Sequence, residues 1–201
     1  MGGRGWWPSS RSERAPTAEA GTARRAQEID SVPRWKVTSV MDDSLVPLRA
    51  GTAAPDFTLR RTPWQTLSLH RLAGQPIILA FFPTAFEPVS REQLLLLQEY
   101  LPQVEALQGQ LLGIAADHTW CHEAFCREAG IAFPLLADTP PSGRVSQLYG
   151  VYRKPEDTTG RALFVIDSSG IIRFGEVYPD LLNPGVDDVL TVLESLQAHK
   201  A

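Results

Sequence analysis

The chain has 201 residues, 43% of them hydrophobic, and a formal net charge of −4, enough for one buried core of about 150 residues plus an extension. Residues 1–40 carry seven basic and four acidic side chains, a balance of +3, which leaves −7 on the rest; a body that acidic argues against nucleic acid as a partner. With no apolar run of 18 residues a membrane-spanning helix is not expected, and two cysteines are not the framework of a secreted disulfide scaffold, so a cytoplasmic location is expected.

Residues 1–40 are rich in Gly, Arg, Ser, Ala and Pro without sustained periodicity, and read as a disordered or non-native extension. Their Arg and Ser content faintly suggests a transit peptide, but acidic residues interrupt it. Arg24-Arg25 lacks the apolar stretch of a twin-arginine export signal, and Met41 is the expected true start, since its segment runs straight into the domain.

The domain itself is expected over residues 48–201. Ala54–Leu59 and Thr66–Leu69 alternate apolar and polar residues, as a half-buried hairpin does, and His70–Leu72 reads as a short turn closed by Gly74. Pro76–Phe82 is apolar throughout and reads as a buried central strand. A helix is expected from Ser90 to Leu107, with Leu94, Leu97, Leu101, Val104 and Leu107 turned inward. A second strand follows at 110–116 and a helix at 119–129 capped by Gly130, then a short strand at 133–137 and a short helix at 143–149. Leu163–Asp167 and Ile171–Phe174 form a hairpin through Ser168-Ser169-Gly170, and Pro184 opens a last helix that runs to Ala198. Strands alternating with helices, closed by a hairpin and a helix, imply an α/β sandwich of thioredoxin-like type: a central mixed sheet flanked by helices, with an N-terminal β-hairpin.

The turn between the central strand and the next helix is where such a sheet places a ligand or a reacting group. Ser90 stands at the helix start, where free N–H groups and the dipole favour an anion and would lower a thiol's pKa. Seryl hydrolase chemistry would need a base beside Ser90, and no histidine is near it in sequence. Cys126 reads either as a small buried hydrophobe or as a working thiol, and Cys121 likewise. On an intact helix residues five apart differ by about 140° in direction and about 7.5 Å in rise, so no resting disulfide between the two is expected. His118 with His122, or His122 with Cys126, could hold an ion as a pair, but no single ion reaches all of them and no second cluster completes a set, so no metal site is assigned.

Phe81-Phe82-Pro83-Thr84-Ala85-Phe86-Glu87-Pro88-Val89-Ser90-Arg91-Glu92-Gln93 resembles the active-site loop of the peroxiredoxins, the alkyl hydroperoxide reductase C and thiol-specific antioxidant group, which reads Phe-Phe-Pro-x-x-Phe-Thr-x-x-Cys-x-x-Glu. Glu87 stands at that pattern's Thr, Ser90 at its peroxidatic Cys and Gln93 at its Glu. Ala54-Pro55-Asp56-Phe57-Thr58-Leu59 is similar to the usual opening of such domains. The segment from Asp117 to Leu135 resembles the bacterioferritin comigratory branch, whose resolving cysteine on this helix falls where Cys126 is, 36 residues after Ser90. Arg161-Ala-Leu-Phe-Val-Ile-Asp167 is similar to the family's Arg-Gly-Leu-Phe-Ile-Ile-Asp.

The resemblance implies thiol-dependent reduction of hydrogen peroxide or organic hydroperoxides without metal, flavin or other cofactor, a thioredoxin-like or other thiol reductant as partner, and a monomer or homodimer. It implies a pocket of Pro83, Glu87, Ser90, Gln93 and Arg161, with Pro83 shielding it, Arg161 holding thiolate and peroxide by its forked donors, and Cys126 as resolving candidate. A serine alcohol cannot perform the peroxidatic step, which needs a thiolate and yields a sulfenic acid. Glu87 adds a charge that would raise a neighbouring thiol's pKa, or pairs with Arg161 and occupies the donor a peroxide needs. Two alternatives follow: a catalytically silent redox-sensing or binding module of the same fold, and a disulfide exchanger using Cys121 and Cys126, disfavoured because the pair is not a Cys-x-x-Cys.

Overall fold

The computed structural model describes residues 45–139 and 143–198, so the expectations for residues 1–40 and for Met41 lie outside the described residues. Its strands are β1 (Thr58–Arg60), β2 (Thr66–Ser68), β3 (Ile77–Phe81), β4 (Gln110–Ala115), β5 (Leu135–Ala137), β6 (Tyr152–Arg153), β7 (Thr158–Thr159), β8 (Arg161–Ile166) and β9 (Ile172–Tyr178). Its α-helices are α1 (Pro88–Glu99), α2 (Leu101–Ala106), α3 (Thr119–Ala129), α4 (Arg144–Leu148) and α5 (Asp187–Ala198), with a 3-10 turn at Leu69–Leu72.

Seven strands form one mixed sheet in the order β2-β1-β5-β4-β3-β8-β9. β3 lies inside it, parallel to β4 (Ile77 opposite Gln110) and antiparallel to β8 (Ile77 opposite Ile166). A strand covered on both faces must be apolar at every position, which is why β3 reads as an unbroken hydrophobic run. Ile78, Ala80 and Phe82 pack with Leu94 and Leu97 of α1, Phe125 of α3 and Leu193 of α5, while Ile77, Leu79 and Phe81 face Val145, Tyr149 and Phe57 on the other side. The expected sandwich and N-terminal hairpin are therefore present.

Several boundaries differ from the sequence expectation: the first strand is confined to Thr58–Arg60, and the closing hairpin is longer, Arg161–Ile166 and Ile172–Tyr178. The helix expected over 90–107 begins at Pro88 and divides at Tyr100, because Pro102 has no N–H to give the Gln98 carbonyl; the Tyr100 N–H makes the last helical bond, to the Leu96 carbonyl at 3.2 Å. The last helix begins at Asp187 rather than Pro184, because Gly185 sits at φ +75°, outside helical space, and Asp187 and Asp188 then complement the positive end. The strand expected over 133–137 is shortened to Leu135–Ala137. A two-stranded ribbon, β6–β7, stands apart from the main sheet and was not expected; two residues a side is too short to show alternation.

Candidate active site: the Glu87, Ser90 and Arg161 cluster

β3 leads through Phe82–Phe86 into α1, and three anchors hold that turn. The Thr84 hydroxyl and the Ala85 N–H donate to the two carboxylate oxygens of Asp117, just beyond β4, at 3.0 and 2.7 Å. The Thr158 hydroxyl on β7 donates to the Pro83 carbonyl at 3.0 Å. Glu87 is the N-cap of α1: its carboxylate accepts from the Val89 N–H at 2.9 Å and the Ser90 N–H at 2.6 Å, with Pro88 at the first helical position, where a missing N–H costs nothing.

Ser90 is fully buried in that first turn, and its hydroxyl donates to Glu87 Oε2 at 2.7 Å. Arg161 opens β8 and shares a strand face with Leu163 and Val165, which belong to the helix-side core, so its side chain runs under the start of α1. It is fully buried as well. Nη2 donates to Glu87 Oε2 at 2.8 Å and to the Asp180 carbonyl at 3.0 Å, with Ser90 Oγ 3.5 Å away; Nη1 donates to Gln93 Oε1 at 2.6 Å. Asp180 is itself held by an ion pair with Arg153 of the β6–β7 ribbon.

Glu87 Oε2 thus receives the Ser90 amide, the Ser90 hydroxyl and the Arg161 guanidinium, three donors converging as an oxyanion hole's do. Burial works against the charged carboxylate, but the Ser90 hydroxyl, the Val89 and Ser90 amides and Arg161 outweigh it and hold Glu87 below the usual carboxylate range. Of the residues singled out in the sequence, Glu87, Ser90, Gln93 and Arg161 meet directly, and Pro83 sits on the anchored loop beside them. Asp117, Thr158 and the Asp180 carbonyl escaped the sequence reading. Asp117 ends a strand on the carboxyl side of the sheet, a position that could have marked it; a main-chain carbonyl leaves no trace in a sequence.

Cys126 is placed differently. α3 touches α1 through Phe125, which meets the Phe86 ring edge-on at 5.4 Å and lies under the Arg91 guanidinium, and through Glu128, which pairs with Arg91 at 3.0 Å. Cys126 is one residue past Phe125, about 100° around the helix. It lines a hollow of about 170 Å³ with Arg61, Thr62, His122, Glu123 and residues 131–135. No residue of the Glu87 cluster lines that hollow. Cys121, four before Phe125, lies closer to the α1 side. Both thiols are free, and burial raises the pKa of each; beside Cys126, Arg61 opposes that rise and Glu123 adds to it, and beside Cys121, Asp117 adds to it. His122 is buried against Phe82, and burial brings its pKa down to about 4 although Asp117 pulls the other way.

Residues 50–174 match the AhpC/TSA family. Alkyl hydroperoxide reductase E of Mycobacterium tuberculosis is 39% identical over 131 residues, 65% of this chain and 86% of that protein. The chloroplastic peroxiredoxin Q of Populus jackii is 27% identical over 165 residues, 79% of this chain and 74% of that one. The reduced 2-Cys peroxiredoxin of Plasmodium vivax superposes with a TM-score of 0.69 at 24% identity, covering 77% of this chain and 84% of its own, a likeness of fold. Since the family match spans more than half of its residues, the chain belongs to the AhpC/TSA family of peroxiredoxins.

Proposed function

We propose that this chain serves peroxide defence as its family does, and that its position-90 pocket is a closed anion cage in which the peroxidatic step does not run. The family supports a peroxide-reducing, antioxidant role. The finer reading is thiol-dependent reduction of hydrogen peroxide or organic hydroperoxides, with Ser90 at the attacking position, Arg161 as the donor fork, Cys126 as resolving candidate, and a thioredoxin-like or other thiol as reductant. It includes a working domain over 48–201, a monomer or homodimer, a cytoplasmic setting, and no nucleic acid, membrane, metal or cofactor; among the described residues no helix is long and apolar enough to cross a membrane.

One observation carries the reading of the pocket: the donors that would receive a peroxide oxygen are spent on Glu87 Oε2. An alcohol at position 90 cannot take up an oxygen atom as a thiolate does. A resolving role for Cys126 requires α3 to unwind, since in this conformation its thiol faces the hollow. The cage also favours a second reading, a catalytically silent sensing or binding module. Both are tested by peroxide consumption with excess dithiol. The chain as it stands should show no turnover at position 90, and Ser90→Cys should create it. A Ser90→Cys variant no faster than the parent would overturn the assignment of the pocket.

A further inference from the structure

The fold leaves the His122 ring unsatisfied. It is 1% exposed, and neither ring nitrogen has a hydrogen-bond partner. Buried polar groups are paired in the great majority of cases, so the ring is an exception that carries a cost. Nε2 stands 3.7 Å from Asp117 Oδ2, about 0.9 Å beyond the length of a charge-assisted bond. That oxygen is already in use. Oδ2 accepts from the Ala85 N–H at 2.7 Å and Oδ1 from the Thr84 hydroxyl at 3.0 Å, so the carboxylate beside the unsatisfied ring is also an anchor of the turn between β3 and α1.

The other ionisable groups around the ring are Arg61 of the β1–β2 hairpin and Glu123 and Cys126 of α3, which line the same hollow, and His118, one turn earlier, whose carbonyl accepts the His122 N–H. β3 presents Phe82 to it, and the chain entering β5 presents Phe133 and Leu135, none of which carries charge. Among the described residues, Asp117 is the ring's ion-pair partner. The helix is not free to carry the ring to that carboxylate: Trp120 in its first turn meets Trp64 of the hairpin edge to face at 5.5 Å, which ties the start of α3 in place. Asp117, 18% exposed in the link between β4 and α3, is the adjustable partner.

We propose that His122 and Asp117 form an acid-operated latch on the turn between β3 and α1. While the ring is neutral, the carboxylate holds Thr84 and Ala85. Proton uptake gives the ring a second N–H, and a buried imidazolium without a counter-charge is far costlier than two unmade bonds from neutral donors. Asp117 therefore turns to the Nε2–H, and Thr84 and Ala85 lose their acceptor. Burial sets the range: it brings the ring's pKa down to about 4 against the pull of Asp117, so the latch is shut at neutral pH and opens in acid. One of three anchors is released, since Thr158 still holds the Pro83 carbonyl and Glu87 still caps α1. The latch needs no chemistry at Ser90, so it goes beyond the proposed function and fails separately from it.

The test is nuclear magnetic resonance on the full chain labelled with nitrogen-15, from pH 7 down through the titration of His122. Long-range spectra follow the His122 ring, and amide exchange, corrected for the intrinsic effect of pH, gives the protection of Ala85. Ala85 should lose protection by about tenfold or more over the span in which His122 gains its proton, while Leu79 inside β3 keeps its own. His122→Phe and His122→Gln should each hold Ala85 protection level across that span, and His70→Gln, at an exposed histidine, should leave the loss in place. Ala85 protection that does not fall as the ring titrates, or a ring that stays neutral until Leu79 also exchanges, would overturn the proposal. So would a loss that persists in both His122 variants, which would assign the opening to protonation of Asp117 itself.

Discussion

Arg161 Nη2 gives its hydrogen bond to Glu87 Oε2 at 2.8 Å, while Ser90 Oγ stands 3.5 Å from the same nitrogen. The guanidinium therefore serves the helix cap first and position 90 second. A carboxylate three residues before position 90 thus draws both the helix N–H groups and the guanidinium, so the cap and the ion pair are one structure.

It follows that restoring a thiol is not enough. A cysteine at position 90 would meet the Glu87 carboxylate, whose charge disfavours the thiolate. Ser90→Cys should reduce peroxide slowly, and Ser90→Cys with Glu87→Thr should be about tenfold faster or more, since one pKa step is worth tenfold in thiolate at neutral pH. Stopped-flow peroxide consumption decides it, and a double variant no faster than the single one sinks the cage argument.

The same cluster should carry stability. Arg161→Met leaves a partly buried carboxylate, the Gln93 oxygen and the Asp180 carbonyl without their donor, at a cost of about 3–5 kcal/mol. Glu87→Gln keeps an acceptor for the cap and should cost only about 1–2 kcal/mol. Urea titration of the two variants and their combination would show whether the terms couple; equal losses in the two single variants would contradict the account.

Acid should destabilise the fold through two groups. His122 falls from 6.5 to about 4 on folding, so the unfolded chain binds the extra proton between those values. Its stabilising share is intact above 6.5, declines as pH drops, and is fully spent below about 4; at roughly 1.4 kcal/mol per pH decade the loss is on the order of 3 kcal/mol. Glu87, also held below its ordinary value, loses its share further down, as pH falls past the usual glutamate range. Urea unfolding from pH 7 to pH 4.5 should therefore flatten in His122→Phe and keep its slope in Glu87→Gln.

Thr158 joins the β6–β7 ribbon to the turn between β3 and α1 through the Pro83 carbonyl. Thr158→Val keeps the shape and removes the donor. It should cost about 1 kcal/mol of stability. In the Ser90→Cys, Glu87→Thr background it should lower kcat more than it raises KM, because the turn aims the thiol more than it binds the peroxide. An unchanged kcat would show that Asp117 alone sets the turn.

Much of this was legible in the chain's pattern. An unbroken apolar run at 77–82 could only be an interior strand, and Gly130 marked the end of α3 by the left-handed conformation it takes there, φ +70°. The pairing of Glu87 with Arg161 was open from sequence as one of two alternatives, and the geometry selects it. The helix start was missed by two residues because Ser90 looks like a cap, while the cap is a glutamate followed by proline, whose fixed φ suits the first helical position. The direction of Cys126 was out of reach, because it depends on which stripe of α3 the sheet covers. His122 and Phe125, three apart, turned out to be that stripe, leaving the thiol to one side.

Trp64 and Trp120 lie across the join between hairpin and α3, 77% and 60% exposed. Two indoles that close and mutually perpendicular couple their electronic transitions, so the pair should add a signed doublet to the ultraviolet circular dichroism that Trp64→Phe subtracts. Any event that peels the start of α3 from the hairpin, including the unwinding a disulfide at Cys126 would demand, must extinguish that doublet. The molecule carries its own optical gauge, readable without a dye.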